Sequence, residues 1–451
     1  MPAFDSIIRN GAIVTADAIR RGDVGIVDSK IVAIAENFSG SAAEEIDATG
    51  LHIFPGVIDA HVHFNEPGRT EWEGVETGSR ALAAGGGTMF FDMPLNAHPP
   101  TCDAEAFQLK KAAAETKSVT DFALWGGLVP GNLDKLEELA KCGVIGFKAF
   151  MSNSGIDDFS SIDDKTLREG MKIAAQLKLP VAVHAESDTM TAQLSQIAMA
   201  ENRTTIRDYL NSRPIEAELD AIRRAIDISA ETGCALHIVH VSSAAGVQLI
   251  TAARAKGVNV TCETCPHYLV LTDEDVEQLG AVAKCAPPLR SKVEQAKLWS
   301  EVLAGNVLTI GSDHSPAPPD MKTSPNFFKV WGGISGVQHM LPILIDAVAA
   351  DRRRLALITA ATSLNIAQRF DLPKTKGRIE IGSDADLALV NTDEITAVTK
   401  HDLLYRHKQS PYIGRRLKAK VERTIRRGET IFLDGKIIAK TRGVLIKPTD
   451  H

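Results

Sequence analysis

The chain has 451 residues with 57 acidic and 50 basic side chains, a formal net charge of −7, and 13 histidines. That balance excludes the basic footprint of a nucleic-acid or anionic-lipid binder, and 44% hydrophobic with 24% charged residues excludes a disordered chain. No apolar run nears the ~20 residues that span a bilayer, the start MPAFDSIIRN has no apolar signal core, and six scattered cysteines predict free thiols in a cytoplasmic protein.

The first 55 residues read as short strands and turns. SIIRNGAIVT, with Asn10-Gly11 at its centre, DVGIVDSKIVAIAE and LHIFPG predict hairpins. From Gly56 onward, short apolar runs alternate with helical patterns: VIDAHVHF, a helix near 73–84, TMFFDMP, a helix near 103–116, and DFALWGG. VIGFKAF, LPVAVHAE, ALHIVHVSS, NVTCETC and VLTIGSDHS continue the alternation, with amphipathic stretches such as IEAELDAIRRAIDISAETG between them. Eight such strands predict an α/β protein built on a closed (β/α)8 TIM-type barrel over residues 56–371, with an open doubly wound sheet as the rival. The end of the chain returns to β style in DADLALV, KVERTIRRG and ETIFLDGKII, where Asp434-Gly435 marks a tight turn. Segments 1–55 and 372–451 are therefore expected to pair into one small β-sandwich.

Side chains on a strand alternate faces, so His61 and His63 in Asp59-Ala60-His61-Val62-His63 point the same way, ~7 Å apart, and can share a metal. An isolated His-x-His also occurs as one hydrogen-bonded and one partly solvated histidine. His184, His240 and Asp313 close three other strands at the same end, where catalytic groups of a barrel converge. His237 and His240 have opposite parity, so one of them faces inward; His240, nearer the C-terminal end, is expected there and His237 in packing. Lys148, in the apolar strand VIGFKAF, is costly to bury as an ammonium and must be paired, deprotonated or modified. A neutral lysine can add CO2 as an anionic carbamate that bridges two metals; a structural ion pair is the alternative.

DAHVHFNEPG, GFKAF, VHAES, HVSS and SDHSP, in this order, resemble the cyclic amidohydrolase branch of the amidohydrolase superfamily, whose members act on dihydroorotate, dihydropyrimidines, hydantoins or allantoin. The resemblance covers essentially the whole chain. It implies two divalent metal ions, zinc first and Co, Mn, Ni or Fe as alternatives. His61, His63 and Asp313 would hold one, His184 and His240 the other, with carboxylated Lys148 (N6-carboxylysine) bridging them. It also implies hydrolysis of a cyclic amide by a metal-activated hydroxide, with Asp313 as the catalytic proton acceptor and donor, and a homo-oligomer, a tetramer foremost.

Two positions separate the members. Asn65 stands where dihydroorotases carry the Arg that binds the substrate carboxylate, and a neutral amide does not replace a bidentate guanidinium. Asn153 stands where dihydropyrimidinases and hydantoinases carry a Tyr five residues after the bridging lysine. EPGRTEWEGVETGSRA, FDMPLNAHPPT, TCETCPHY, AKCAPPLR, KVWGGISGVQ and LLYRHKQSPYIGR resemble the allantoin-opening members instead, apart from Ala286 where relatives often have Ser. The small-molecule substrate implied is allantoin, a hydantoin ring with a ureido arm, opened to allantoate in purine degradation and nitrogen salvage. Asn96 and Ser315 are candidate substrate-binding residues, though both also suit ordinary turns. A hydantoinase-like or dihydroorotase-like enzyme, and a metal-free scaffold homologue, are the alternatives.

Other conspicuous residues carry less. Cys262-Glu263-Thr264-Cys265 has redox or zinc spacing without a second pair and is read as a strand end whose cysteines pack. His267 is read as a hydrogen-bonded structural histidine, with support of the metal ligands from behind as the alternative, Gly85-Gly86-Gly87 as a helix-to-strand turn, and Arg352–Arg354 as a solvated helix end.

Overall fold

A computed structural model describes residues 3–449. Five strands come first: β1 (Phe4–Val14), β2 (Ile19–Val27), β3 (Lys30–Ala35), β4 (Ala42–Asp47) and β5 (His52–Pro55). The barrel strands follow as β6 (Val57–Val62), β7 (Gly87–Asp92), β8 (Asp121–Leu124), β9 (Gly126–Gly127), β10 (Phe147–Phe150), β11 (Val181–His184), β12 (Leu236–Ile238), β13 (Val260–Thr264) and β14 (Thr309–Ile310). The chain ends through β15 (Leu387–Asn391), β16 (Thr396–Ala397), β17 (Arg416–Leu417), β18 (Lys420–Arg426), β19 (Glu429–Leu433) and β20 (Lys436–Ile437).

The eight expected barrel strands are all present, and the chain forms the expected (β/α)8 barrel. β6, β7 and β8 pair in parallel, as do β9 through β14. β8 and β9 are one strand passing between partners at Trp125: the first half bonds to β7 and the second to β10. The ring closes where Val62 bridges His314 in parallel and the His63 N–H donates to the His314 carbonyl at 2.8 Å.

Alternation along these strands sorts their apolar side chains into two cores. Phe90, Phe122, Leu124, Phe147, Val181 and Val183 join the helix residues Leu82, Phe107, Leu167, Ile222 and Val247 outside the barrel. Met89, Phe91, Ala123, Ala182 and Trp125 meet Phe370 and Leu372 in the other, lining the barrel interior. The helices are specified by their ends. Asp103, Asp163, Ser243 and Ser291 accept N-terminal N–H bonds, and Ile215–Thr232 runs from Pro214 to Gly233 at φ 71°. Gly85 and Gly86 (φ 87°) make the expected helix-to-strand turn before β7.

Both ends of the chain share one nine-stranded sheet, β20-β19-β18-β15-β5-β1-β2-β3 with β4 on β1, around its own apolar cluster of Ile8, Ile13, Val24, Ile31, Ile53, Leu387, Leu389 and Ile425. One expected turn is absent. Asn10 (φ 64°) and Gly11 do not reverse the chain; they form a bulge within β1, where the register against β2 shifts between Ile8 and Gly11. Asp434 (φ 45°) and Gly435 (φ 82°) do form the tight β19–β20 hairpin, because both central residues take the left-handed conformation that a primed turn needs. Beyond this sheet the chain returns to the barrel: Phe122 donates to the Val444 carbonyl at 3.0 Å and accepts from Ile446 at 2.7 Å. No helix among the described residues is long and apolar enough to cross a membrane.

Candidate metal centre

The candidate ligands lie at or just past the C-terminal ends of β6, β10, β11, β12 and β14. His61 and His63 each use Nδ1 away from the cavity: His61 Nδ1 is 2.7 Å from Glu263 Oε1, and His63 Nδ1 donates to the Leu95 carbonyl at 2.9 Å. Those bonds set the tautomer and leave both Nε2 lone pairs available. Both Nε2 atoms face Asp313 Oδ1, at 3.3 and 3.4 Å, and the three ligand atoms lie within 4.8 Å of one another.

The other pair uses opposite nitrogens. His184 Nε2 is held 2.8 Å from Glu186 Oε2, which also pairs with Arg213, so His184 presents Nδ1, 3.0 Å from His240 Nε2. Phe150 stacks on the His184 ring at 4.6 Å and 13°. The two pairs adjoin, with the His61 and His240 rings 5.4 Å apart.

His240 reaches this position by a route that strand alternation does not describe. β12 stops at Ile238, and His240 sits in a left-handed conformation at φ 41°. His237 also faces the barrel interior, in register with Ala182, so the parity argument that only one of the two histidines turns inward fails where the strand ends. His237 packs against Phe370 at 5.3 Å and bonds Thr261 Oγ1 at 2.8 Å, one layer below the site.

Electrostatics favour ligation. Burial drives His61, His184 and His240 below the ordinary imidazole range, keeping them in the neutral, ligating form. Burial alone would raise Asp313, but His61 and His63 hold it well below the usual carboxylate range. Lys148 is wholly buried, its Nζ has no hydrogen-bond partner, and it stands 4.8 Å over the Phe150 ring. Burial pushes that ammonium down to about 7, with Asp313 and Glu263 as the nearest opposing charges. An unpartnered, easily deprotonated amine beside four imidazoles and an ionised carboxylate is a donor set that fits divalent metal.

Several contributors were not legible beforehand. Glu263 lies between the two cysteines that drew attention to its strand; it is 1% exposed, and burial pushes its carboxyl up to about 8. Its only advance signal was an acidic residue inside a buried strand. Glu186, two residues past His184, and Asp59, whose carboxylate accepts from the N–H groups of His61 (3.2 Å) and Ser312 (3.0 Å), had none. Cys262 and Cys265 are buried and burial raises both thiols, so neither offers a thiolate. His267, expected to be hydrogen-bonded, has neither ring nitrogen bonded and lies instead against Tyr268 with centroids 4.3 Å apart.

A cavity of about 460 Å³ opens over this cluster. Asn96 and Ser315 both line it, as do Asn153, Tyr209, Arg213, Ala286 and the run Phe328–Gly333. Asn65 does not: it is fully buried, with its amide 3.4 Å from the Pro316 carbonyl and its Oδ1 3.4 Å from Asn96 Nδ2. The Asn153 Oδ1 is spent on the Gly155 N–H at 2.7 Å.

The amidohydrolase family model matches residues 52–431. Allantoinase of Rubrobacter xylanophilus is 54% identical over 99% of this chain and 98% of its own, and allantoinase of Deinococcus radiodurans is 51% identical over 99% of each. Among solved structures, L-hydantoinase (dihydropyrimidinase) from Arthrobacter aurescens superposes with a TM-score of 0.95 at 33% identity, covering 98% of this chain and 100% of that one. Dihydropyrimidinase from Brevibacillus agri gives 0.91 at 30% identity over 99% of each.

Proposed function

The chain belongs to the amidohydrolase family, and on that premise we propose that it opens the hydantoin ring of allantoin by hydrolysis, giving allantoate. The observation that carries the substrate is the full-length likeness to allantoinases at about half identity; the chemistry rests on the cluster of His61, His63, Lys148, His184, His240 and Asp313 under one cavity. The Asn at 65 and at 153 departs from dihydroorotase and hydantoinase patterns in the same direction.

In this reading His61, His63 and Asp313 hold one divalent cation and His184 and His240 a second, zinc foremost. Lys148, once neutral, would add CO2 at Nζ with release of one proton, and its carbamate would supply the anionic ligand charge that two cations need. The bound cations supply Lewis acidity at the scissile carbonyl and a water whose pKa falls from 15.7 to about 7. Asp313, ionised, accepts the proton of the attacking water and returns it to the ring nitrogen as the C–N bond breaks. Glu263, the Leu95 carbonyl and Glu186 hold the imidazoles in their ligating tautomers. Asn96 and Ser315, both on the cavity wall, take the polar groups of the ring and its ureido arm. A cytoplasmic homotetramer accompanies this reading on resemblance alone, and molecular mass in solution tests the assembly.

The deciding assay compares ring opening of allantoin, dihydroorotate and a simple 5-substituted hydantoin by protein loaded with divalent metal and bicarbonate, then stripped with chelator. A chelator-sensitive preference for allantoin is expected; preference for another ring would move the substrate, and inactivity with metal bound would refute the reading. Asp313→Asn should lower kcat by roughly 10²–10⁴-fold with the fold intact.

A further inference from the structure

The cavity wall from Met321 to Gly333 contains only short 3-10 turns, Pro319–Lys322 and Phe327–Lys329, and no strand. Its carbonyls need partners from elsewhere. Two ammonium groups provide them. Lys284 Nζ donates to the carbonyls of Phe327 (2.6 Å) and Val330 (2.5 Å), and Lys322 Nζ to those of Trp331 (3.1 Å), Gly333 (2.9 Å) and Ala281 (3.2 Å). The backbone returns the tie, since the Gly333 N–H donates to the Lys284 carbonyl at 2.7 Å and the Trp331 N–H to the Met321 carbonyl at 2.9 Å.

Neither lysine is placed as a stabilising ion pair would place it. Lys284 is 4% exposed, stands over the Tyr209 ring at 4.2 Å and has Arg213 and Lys322 as its nearest charges, both positive. Burial pushes Lys284 down to about 7 and Lys322 to about 8. Taking the buried Lys284 and the partly buried Lys322 out of water without counter-ions costs stability that an apolar side chain would not. What the ammoniums alone provide is several donors at one point, matched to carbonyls from separate stretches of chain.

We propose that Lys284 and Lys322 are positioning residues for the reaction: they clamp the backbone of residues 327–333 over the metal-ligand cluster and so fix the wall against which the substrate binds. Lys284 also lines the cavity, but its Nζ is engaged by the Phe327 and Val330 carbonyls, so both lysines act through that backbone. The substrate used to test them rests on the reading above.

The test uses the full-length, metal-loaded protein as Lys284→Met, Lys322→Met and Lys322→Arg, with hydrogen exchange of residues 327–333, metal content and allantoin kinetics measured on each. Both Met variants should exchange this segment faster and keep wild-type metal content. KM should rise about tenfold, the scale of one lost charged hydrogen bond, while kcat changes less than about threefold. Lys322→Arg, which retains the donors, should restore both exchange and KM. Unchanged exchange in both Met variants overturns the clamp whatever the substrate, and so does loss of metal with collapse of kcat at constant KM. If Lys284→Met fails to fold, Lys322→Met and its Arg counterpart decide alone. Faster exchange in a protein that never opens allantoin supports the clamp and refutes the substrate reading.

Discussion

Glu263→Gln and Glu263→Ala isolate what a buried carboxylate does for a ligand it touches from behind. The bond from His61 Nδ1 to Glu263 Oε1 is 2.7 Å, with both side chains 1% exposed, so water does not replace it. A hydrogen bond to a charged group contributes about 1.5–3 kcal/mol and a neutral one about 0.5–1.5. With its carboxyl pushed up to about 8, Glu263 is ionised mainly above that pH, where Gln, keeping an oxygen at the same place, loses the difference of about 1–1.5 kcal/mol, or roughly five- to tenfold in metal affinity, and loses less at lower pH. Ala loses the whole bond and frees His61 to take the other tautomer, so roughly 100-fold is expected, the upper range for a residue behind a metal-bound histidine. The site has little room for compensation: a Cβ on Gly311 would lie 2.5 Å from Glu263 Oε2 and 3.1 Å from the His61 Cβ, so the carboxylate is wedged in place. Chelator-competition titrations give the affinities, and kcat at saturating metal should recover for Gln. Wild-type affinity in both variants would refute the argument. Normal affinity with low kcat at saturation would show that Glu263 works on the reaction by some other route.

Lys148 should take up CO2 at neutral pH where a surface lysine does not. With its ammonium pushed down to about 7 by burial, about half is neutral at pH 7, against about one in 3,000 for an ordinary lysine near 10.5; uptake should fall as pH drops through 7, measured as the carbamate carbon signal from labelled bicarbonate. Lys376→Met should cost about 3–5 kcal/mol in denaturant unfolding, because it removes the cation shared by Asp121, Asp386 and Asp384, now 2.8, 2.8 and 3.0 Å from the ammonium, and leaves the buried Asp386 with only the Arg427 N–H while Asp384 keeps Lys30 and Asp121 keeps Arg427; metal content of the folded fraction should not change. Gly333→Ala places a Cβ 2.1 Å from the Ser315 carbonyl oxygen at φ 148°, so kcat/KM should fall sharply, whereas Gly332→Ala, whose Cβ meets nothing within 4 Å, should stay near wild type. Equal kinetics for the two glycine variants would contradict the tight seam between Ser315 and this wall.

The barrel and the candidate residues that it gathers under one cavity were legible because their signals are local. Continuous apolar runs, amphipathic helical patterns, the Asp434-Gly435 turn and histidines at strand ends depend on neighbours within a few residues, and alternation carries His61 and His63 to one side together. The same rule wrongly confined inward facing to one of His237 and His240, since a strand that ends two residues early no longer alternates, although His240 reaches the cluster and His237 packs as expected; the Asn-Gly turn signal mistook the Asn10-Gly11 bulge for a hairpin.

What the sequence determined by itself was therefore the order of elements, the end of the barrel that carries chemistry, and the residue types available there. Only the tertiary structure decided which atoms meet. Glu263 reaches His61 across 202 positions, Lys284 reaches the Val330 carbonyl across 46, and Lys376 gathers Asp121 from barrel strand β8 together with Asp386 from the segment before β15. Such pairings arise from the closing of the ring and the return of the chain upon it, and burial then decides their chemistry. It keeps His61, His184 and His240 neutral, leaves Lys148 unpartnered, and turns two lysines into backbone clamps, because removing water makes each remaining partner count for more than composition or spacing records.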